Sequence, residues 1–192
     1  MKGLGENFLE SLSIGRDWTL FLDRDGVINR KIDGDYVRCW EQFEFLPGVI
    51  EALCILKNVF GRIVVVTNQR GVGRGIMTEE TLRDIHNKML KIIRREGGKI
   101  DAIYYCPHDY EKEECNCRKP KIGMALQAKE DFPDIIFSKS IMVGDSLSDI
   151  EFAKRAGMVG VLVGKDYVDY VNLENVLVFR DLYQFASFLT KG

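Results

Sequence analysis

Residues 19–29 read TLFLDRDGVIN, an apolar run that leads into two aspartates and a glycine. We predict a short buried strand for residues 19–23, which places Asp23 and Asp25 at its carboxyl end. Side chains two positions apart in an extended chain point the same way, so both carboxylates are predicted to face one site. Two adjacent carboxylates repel each other unless a cation joins them or one is protonated. The stretch therefore indicates a magnesium site or a nucleophile beside a general acid, with a solvated turn as the alternative.

Strand-like and helix-like segments alternate along the rest of the chain. Apolar runs typical of buried strands occupy residues 62–68, 100–106, 140–145, 160–164 and 175–179. Apolar residues recur at helical spacing in residues 47–60, 78–98, 121–132, 146–157 and 181–189. In the second of these helices, Leu82, Ile85, Met89 and Ile92 are predicted to share one side. The alternation predicts an α/β fold with a Rossmann-like, doubly wound parallel sheet between two helical layers.

Polar residues are predicted to gather where these strands end, which is where such sheets bind ligands. Asp23, Thr67 and Asp145 each close a predicted strand, and Asp149 lies one helical turn beyond Asp145. Several carboxylates in one place favour a divalent cation, and a cation at this edge of the sheet favours phosphate chemistry. The Thr67 hydroxyl and the Lys119 ammonium suit the neutralisation and positioning of phosphoryl oxygens.

The segment CPHDYEKEECNCRKPK, residues 106–121, combines three cysteines with a histidine. Three thiolates and an imidazole suit tetrahedral zinc, and we predict the ligands Cys106, His108, Cys115 and Cys117. Four protein ligands leave no open position, so the zinc is predicted to be structural and to stabilise the loop 106–117. The cysteine spacing disfavours a redox pair, and a solvated loop is the remaining alternative. The loop leads directly into Arg118 and Lys119, which we expect the metal to hold over the phosphate site.

The motif residues, in chain order, resemble the four motifs of the haloacid dehalogenase (HAD) superfamily over residues 19–164. The resemblance implies that Asp23 is a nucleophile that forms an aspartyl-phosphate and that Asp25 is the general acid and base. It implies that Thr67 and Lys119 bind the phosphoryl oxygens. It also implies a Mg²⁺ ion, bound by the side chain of Asp23, the main-chain carbonyl of Asp25 and the side chain of Asp145, with support from Asp149.

Within the superfamily, the segments VVVTNQRGVGRG, YYCPH and CRKPKIGM resemble the heptose bisphosphate phosphatases. The six-residue spacer between His108 and Cys115 is instead similar to the histidinol-phosphate phosphatases. The resemblance implies a small phosphorylated sugar as substrate, contacted by Asp35, Tyr36, Asn68, Gln69, Arg70 and Arg118. The chain between the first two motifs is too short for a large cap domain. A HAD-like binding module without catalysis is the alternative of another class, although all the motif residues are present.

The totals bear on the class of protein. A chain of 192 residues suits one domain, and we assign residues 1–17 to an N-terminal extension and 18–192 to the domain. The formal charge of −2, without a basic half, argues against nucleic acid or an anionic membrane as a partner. No apolar run reaches the ~18 residues of a membrane span, and the N-terminus does not resemble a signal peptide. We therefore expect a cytoplasmic monomer.

Overall fold

Six strands and six main helices alternate along the chain in the computed structural model, which describes residues 8–9, 11–164 and 176–190. The strands are β1 Thr19–Leu22, β2 Arg62–Asn68, β3 Ala102–Cys106, β4 Ser140–Gly144, β5 Val159–Val163 and β6 Leu177–Phe179. The helices are α1 Val49–Val59, α2 Arg70–Gly73, α3 Glu79–Arg95, α4 Gly123–Asp131, α5 Leu147–Ala156 and α6 Leu182–Leu189. Two 3₁₀ helices, Trp40–Gln42 and Phe137–Lys139, complete the set.

The strands form one parallel sheet in the order β3-β2-β1-β4-β5-β6, which confirms the predicted fold class. The central strand β1 pairs with β2 on one side and with β4 on the other, so Thr19 faces both Arg62 and Ser140. The chain builds the sheet outward from β1 to β3 and then crosses to β4 to build the other half. The strand order therefore reverses between β1 and β4, and the crevice beyond their carboxyl ends is where such a sheet binds ligands.

Successive residues of the central strand face opposite layers of helices, as the two-residue period of a strand requires. Leu20 and Leu22 belong to a core cluster that includes residues of α1, α3 and α6. Phe21 belongs to a second cluster, formed with residues of α4 and α5 on the other face of the sheet. Both faces of β1 are thus buried, which explains why its sequence is an unbroken apolar run.

Helix α3 begins where the sequence predicts, because the hydroxyl of Thr78 accepts a hydrogen bond from the Thr81 amide at 3.1 Å. Its buried side differs slightly from the prediction. Ile93, rather than Ile92, lies in the core with the other predicted residues, and His86 is buried among them. A spacing of four, three and four residues from position 82 follows the 3.6-residue period and brings the histidine onto this side.

Several predicted strands are longer than the observed ones. Strand β3 begins two residues later than predicted, β4 ends one residue earlier, and β5 is displaced by one residue towards the N-terminus. Residue 175 of the last predicted strand lies outside the described residues. The predicted N-terminal extension is in part packed on the domain, since Leu9 is buried and Arg16 donates to the main-chain carbonyl of Lys57 at 2.6 Å.

The segments between the strands determine what can surround the crevice. Between β1 and β2 the chain forms loops, one 3₁₀ helix and α1, and the predicted zinc loop connects β3 with α4. The described residues contain no separate cap domain over the crevice. Among them, no helix is both long enough and apolar enough to cross a membrane.

Candidate active site

Three carboxylates converge in the crevice between β1 and β4. Asp23 follows β1, Asp145 follows β4, and Asp149 lies in the first turn of α5. Oxygen atoms of all three lie within 4.8 Å of one another. Carboxylates this close repel unless a cation neutralises them, and oxygen ligands are those that Mg²⁺ prefers. The donor set therefore fits a divalent cation.

Two glycines allow the carboxylates to approach the backbone this closely. Gly26 has a φ angle of +90°, and a Cβ atom placed there would overlap the carboxylate of Asp145. A Cβ atom on Gly144 would in the same way overlap the side chain of Asp149. Any larger side chain at either position would displace a carboxylate of the cluster.

Lys119 supplies a positive charge from inside the protein. Its ammonium lies 2.9 Å from an oxygen of Asp23 and 2.6 Å from one of Asp149, and all three side chains are almost completely buried. Burial lowers the pKa of Lys119, but the two carboxylates more than offset this effect and raise the pKa to about 12. Lys119 is therefore a cation at any physiological pH.

The same lysine does not neutralise all the acidic groups around it. Burial, opposed by Lys119 and reinforced by the other carboxylates, raises the pKa of Asp23 to about 7. The pKa of Asp145 is also raised, mainly by burial, although the ammonium of Lys31 lies 2.7 Å from its Oδ2. One buried lysine shared by two buried carboxylates leaves negative charge in excess. This excess is a second reason why the cluster suits a divalent cation.

Asp149 is fixed by the start of its own helix. Its Oδ2 accepts hydrogen bonds from the Ser146 hydroxyl at 2.6 Å and from the Ser146 amide at 3.1 Å. The arrangement is a capping box, in which the side chain at the third helical position bonds back to the N-cap residue. The other oxygen of Asp149 is thereby directed at Lys119.

Asp25 differs from the prediction that both aspartates face one site. Its carboxylate is not part of the three-carboxylate cluster, and it accepts hydrogen bonds from Arg24, Asn29 and Gln69 at 2.8–2.9 Å. The chain turns directly after β1, with the amides of residues 28 and 29 bonded to the carbonyl of Arg24. Since these residues are not extended, the rule for side chains two positions apart does not apply. Burial raises the pKa of Asp25, but Arg24 and the other donors bring it below its usual value.

Thr67 and its two neighbours at the end of β2 connect the parts of the site. The Thr67 hydroxyl is buried and accepts a hydrogen bond from the Gln69 side chain at 2.9 Å. The Asn68 side chain accepts from the Lys119 amide at 3.0 Å and donates to the Lys119 carbonyl at 3.3 Å. Asn68 thus holds the main chain of Lys119 from both sides.

The predicted zinc ligands lie together at the end of β3. The Nδ1 atom of His108 is 3.0 Å from the sulfur of Cys117, and the sulfurs of Cys106 and Cys115 are 3.5 Å apart. Tetrahedral Zn–S bonds of about 2.3 Å place sulfurs about 3.8 Å apart, so the cluster has the dimensions of a zinc site. All five cysteines are free thiols, with Cys39 and Cys54 away from this cluster. The ligand set and its compactness fit zinc.

The zinc loop is bound tightly to the segment after β2. The amide of Gly73 donates to the carbonyl of Pro107 at 2.8 Å, and a Cβ atom on Gly73 would lie 2.5 Å from the amide nitrogen of Asp109. The guanidinium of Arg70 pairs with the carboxylates of Asp109 and Glu111, each at 2.6 Å. The GVGRG segment therefore provides close backbone contact with the zinc loop.

Comparison with known proteins agrees with this arrangement. Residues 116–182 match the HAD-hydrolase-like family. The chain is 49% identical to a D-glycero-alpha-D-manno-heptose-1,7-bisphosphate 7-phosphatase of Mycobacterium bovis over 72% of the chain and 73% of that protein. The chain is 44% identical to the beta-anomer enzyme of Vibrio cholerae over 72% of the chain and 76% of that protein.

The chain belongs to the phosphatases of the HAD superfamily.

A crystal structure of D,D-heptose 1,7-bisphosphate phosphatase from B. bronchiseptica, complexed with magnesium and phosphate, aligns with this HAD phosphatase at a TM-score of 0.81. It is 34% identical in sequence, and the alignment covers 90% of this chain and 97% of that one. The predicted fold, superfamily and enzyme class are thus confirmed.

The residues predicted to contact substrate have varied surroundings in this HAD phosphatase. Gln69 is buried, and Asn68 binds the main chain of Lys119. Arg70 is paired with the zinc loop, and the carboxylate of Asp35 pairs with Arg38. The remaining two are Tyr36, whose ring packs on Gly71, and Arg118, whose guanidinium lies 4.6 Å from the Tyr110 ring centre. The Nη1 atom of Arg118 is buried without a hydrogen-bond partner among the described residues, which leaves it available to an anion.

Sequence reasoning missed four residues of the site: Arg24, Asn29, Lys31 and His86. Arg24 and Asn29 lie in the quoted stretch but belong to its turn, whose hydrogen bonds only the structure shows. Lys31 follows in an exposed loop with no motif of its own. A signal existed for His86, because it occupies a position of α3 where the helical period calls for an apolar side chain.

Proposed function

We propose that this HAD phosphatase removes the 7-phosphate of D-glycero-D-manno-heptose 1,7-bisphosphate through a covalent aspartyl-phosphate on Asp23. The observation that supports the chemistry is the position of Asp23, which lies between the buried ammonium of Lys119 and the carboxylates of Asp145 and Asp149. The proposal for the substrate rests on the names of the relatives, which act on this sugar bisphosphate.

In the first step, an oxygen of Asp23 attacks the phosphorus atom and the bond from phosphorus to the sugar oxygen breaks. Asp25 donates a proton to that departing oxygen. The donors around Asp25 favour its anion, but a phosphate dianion bound nearby raises the pKa of the carboxyl by like-charge repulsion. Lys119 and the Thr67 hydroxyl hold the oxygens of the transferring group.

In the second step, water attacks the phosphorus atom of the aspartyl-phosphate and Asp25 accepts a proton from that water. The bond between phosphorus and the Asp23 oxygen breaks, which releases inorganic phosphate and restores the carboxylate. The hydrogen bonds from Arg24, Asn29 and Gln69 suit this step, because they stabilise Asp25 as a base before the proton arrives.

We propose that Asp23, Asp145 and the main-chain carbonyl of Asp25 hold the Mg²⁺ ion, with Asp149 in support. When bound, the ion would polarise the phosphoryl oxygens and neutralise their charge. We further propose that Cys106, His108, Cys115 and Cys117 hold a structural Zn²⁺ ion. Elemental analysis of the purified protein tests the second proposal, with one zinc per chain expected; no zinc in protein prepared without chelators contradicts it.

The first experiment measures phosphate release with Mg²⁺ from both anomers of heptose 1,7-bisphosphate and from histidinol phosphate at equal concentrations. We expect a strong preference for a heptose bisphosphate, and ³¹P NMR should show loss of the signal of the 7-phosphate. Preference for histidinol phosphate would overturn the choice of substrate, and the six-residue spacer in the zinc loop would then have been the better guide.

A variant tests the chemistry independently of the substrate. We expect Asp23→Asn to lose nearly all turnover and to remain folded, because the amide is a poor nucleophile. Asp134→Asn is the matched control, since this carboxylate is exposed and pairs only with Arg62 at the surface. Unchanged turnover in Asp23→Asn would exclude the covalent mechanism and favour a binding module.

We also propose that the protein is a cytoplasmic monomer. The exposed large apolar side chains of the described residues belong to separate segments of the chain, and free thiols suit a reducing compartment. Light scattering of the purified protein should give the mass of one chain, 22.0 kDa. A mass of twice that value, independent of concentration, would contradict the proposal.

A further inference from the structure

A fully buried arginine lies between the two aspartates of the first motif. Arg24 has no exposed side-chain surface and is the largest of the fully buried side chains in the described residues. A guanidinium is always charged and carries five N–H donors, so complete burial is costly unless a counter-charge and acceptors surround it. Asp25 provides the counter-charge, since Nη2 of Arg24 lies 2.9 Å from each of its oxygens.

The second terminal nitrogen of Arg24 has one partner, which comes from a different element. Nη1 lies 3.1 Å from Nε2 of His86 on α3, and both side chains are buried. Burial and the neighbouring guanidinium lower the pKa of His86 to about 3. His86 is therefore neutral, with its proton on Nδ1 and the lone pair of Nε2 directed at Arg24.

We propose that His86 is a positioning residue for Asp25, which it orients by accepting a hydrogen bond from Arg24. The proposal rests on the proposed function only in so far as Asp25 is the acid and base.

The geometry explains why His86 matters although it lies one residue removed from Asp25. Arg24 contacts Asp25 through Nη2 alone rather than with the parallel fork of two nitrogens. One nitrogen does not define the plane of the guanidinium, so the contact of Nη1 with His86 defines it. The Nε atom of Arg24 is buried without a partner, and hence no other hydrogen bond of the guanidinium compensates for loss of this contact.

The chemistry of the acceptor distinguishes a positioning role from a packing role. Leucine at position 86 fills space but accepts no hydrogen bond, whereas the side-chain carbonyl of glutamine accepts one. We therefore expect His86→Leu to lower kcat about tenfold to a hundredfold, the loss caused by displacing a catalytic group by about 1 Å. KM should stay within about twofold, because Arg24 and His86 are buried and do not reach the substrate. We expect His86→Gln to retain kcat within about threefold.

The test includes the double variant His86→Leu with Arg24→Met. If His86 acts only through Arg24, the double variant should match Arg24→Met alone, so the two effects on kcat should not multiply. The control is Asn87→Leu, an exposed change in the same helical turn, which should leave kcat unchanged. Wild-type kcat in His86→Leu, equal losses in the leucine and glutamine variants, or multiplied effects would each overturn the proposal.

An NMR measurement keeps the proposal testable without activity and if His86→Leu does not fold. The chain has only two histidines, so comparison with His86→Gln assigns the imidazole signals. At pH 7 the His86 ring should carry its proton on Nδ1, and the Arg24 guanidinium protons should exchange slowly in wild type and in His86→Gln. A proton on Nε2, or rapidly exchanging Arg24 protons in wild type, would contradict the proposal. Failure of the proposed function would appear separately, as absence of turnover in wild type with these signals intact.

Discussion

Replacement of Lys119 by methionine should expose the charge imbalance of the active site. Methionine keeps much of the length and apolar volume of the side chain but removes the ammonium that pairs with Asp23 and Asp149. In the protein without Mg²⁺, three neighbouring carboxylates would then face only Lys31, which is half exposed and binds Asp145. The variant should therefore be markedly less stable than wild type when Mg²⁺ is absent.

The size of the effect follows from the burial of the three side chains. Removing one partner of a buried ion pair costs about 3–5 kcal/mol, because the remaining charge is buried without compensation. For a chain of this size, each kcal/mol shifts the melting temperature by about 2–4 °C, so we expect a loss of about 6–20 °C. Since Mg²⁺ supplies two positive charges to the same carboxylates, it should stabilise Lys119→Met more than it stabilises wild type.

The assay is thermal and urea unfolding with and without Mg²⁺. Mg²⁺ is removed by desalting rather than by a chelator, so that zinc remains bound. Lys139→Met is the matched control, because Lys139 pairs with Asp17 at the exposed surface, where an ion pair contributes only about 0–1 kcal/mol. A loss below about 1 kcal/mol in Lys119→Met, or equal stabilisation of both proteins by Mg²⁺, would refute the reasoning.

Three further predictions concern the two metal sites. Lys31→Met should tighten Mg²⁺ binding by up to about fivefold, because the exposed ammonium competes with the ion for Asp145; calorimetric titration showing weaker binding would contradict this. Gly73→Ala should lower stability by about 1–3 kcal/mol and weaken zinc binding, since its Cβ atom would lie 2.5 Å from zinc-loop backbone; unfolding curves and zinc content measure both effects. Cys117→Ser should lose zinc and activity while Cys54→Ser keeps both, and full activity in a zinc-free Cys117→Ser protein would show that the metal is dispensable.

The fold and the charged centre of the site were predictable because each depends on a strong local pattern. Unbroken apolar runs identified the strands, and the rule that ligands bind where parallel strands end brought Asp23 and Asp145 to one crevice. The cysteine and histidine spacing identified a group that the structure does place together. In these cases the sequence pattern and the spatial arrangement are linked by regular geometry.

The interactions that fix the orientation of the side chains were not predictable. Asp25 turns away from Asp23 because the chain folds into a tight turn after β1, and no spacing rule describes that turn. The contact between Arg24 and His86 joins residues 62 positions apart in the sequence. Asn68 was predicted as a substrate contact from its place in a motif, yet its amide binds the main chain of Lys119. Such contacts depend on packing between elements rather than on periodicity.

The two proposed metal sites act on the same lysine by different means. Lys119 lies two residues after the zinc ligand Cys117, and its main chain is bonded on both sides to Asn68 at the end of β2. Zinc thus restricts the backbone that carries Lys119, whereas a divalent cation at the carboxylate cluster changes the charge that its ammonium experiences. Loss of zinc should therefore displace the ammonium from Asp23, and loss of Mg²⁺ should instead leave the ammonium in place and paired. Because the two losses differ in this way, an isotopically labelled Lys119 ammonium would separate them: its signal should broaden when zinc is removed and persist when only Mg²⁺ is removed.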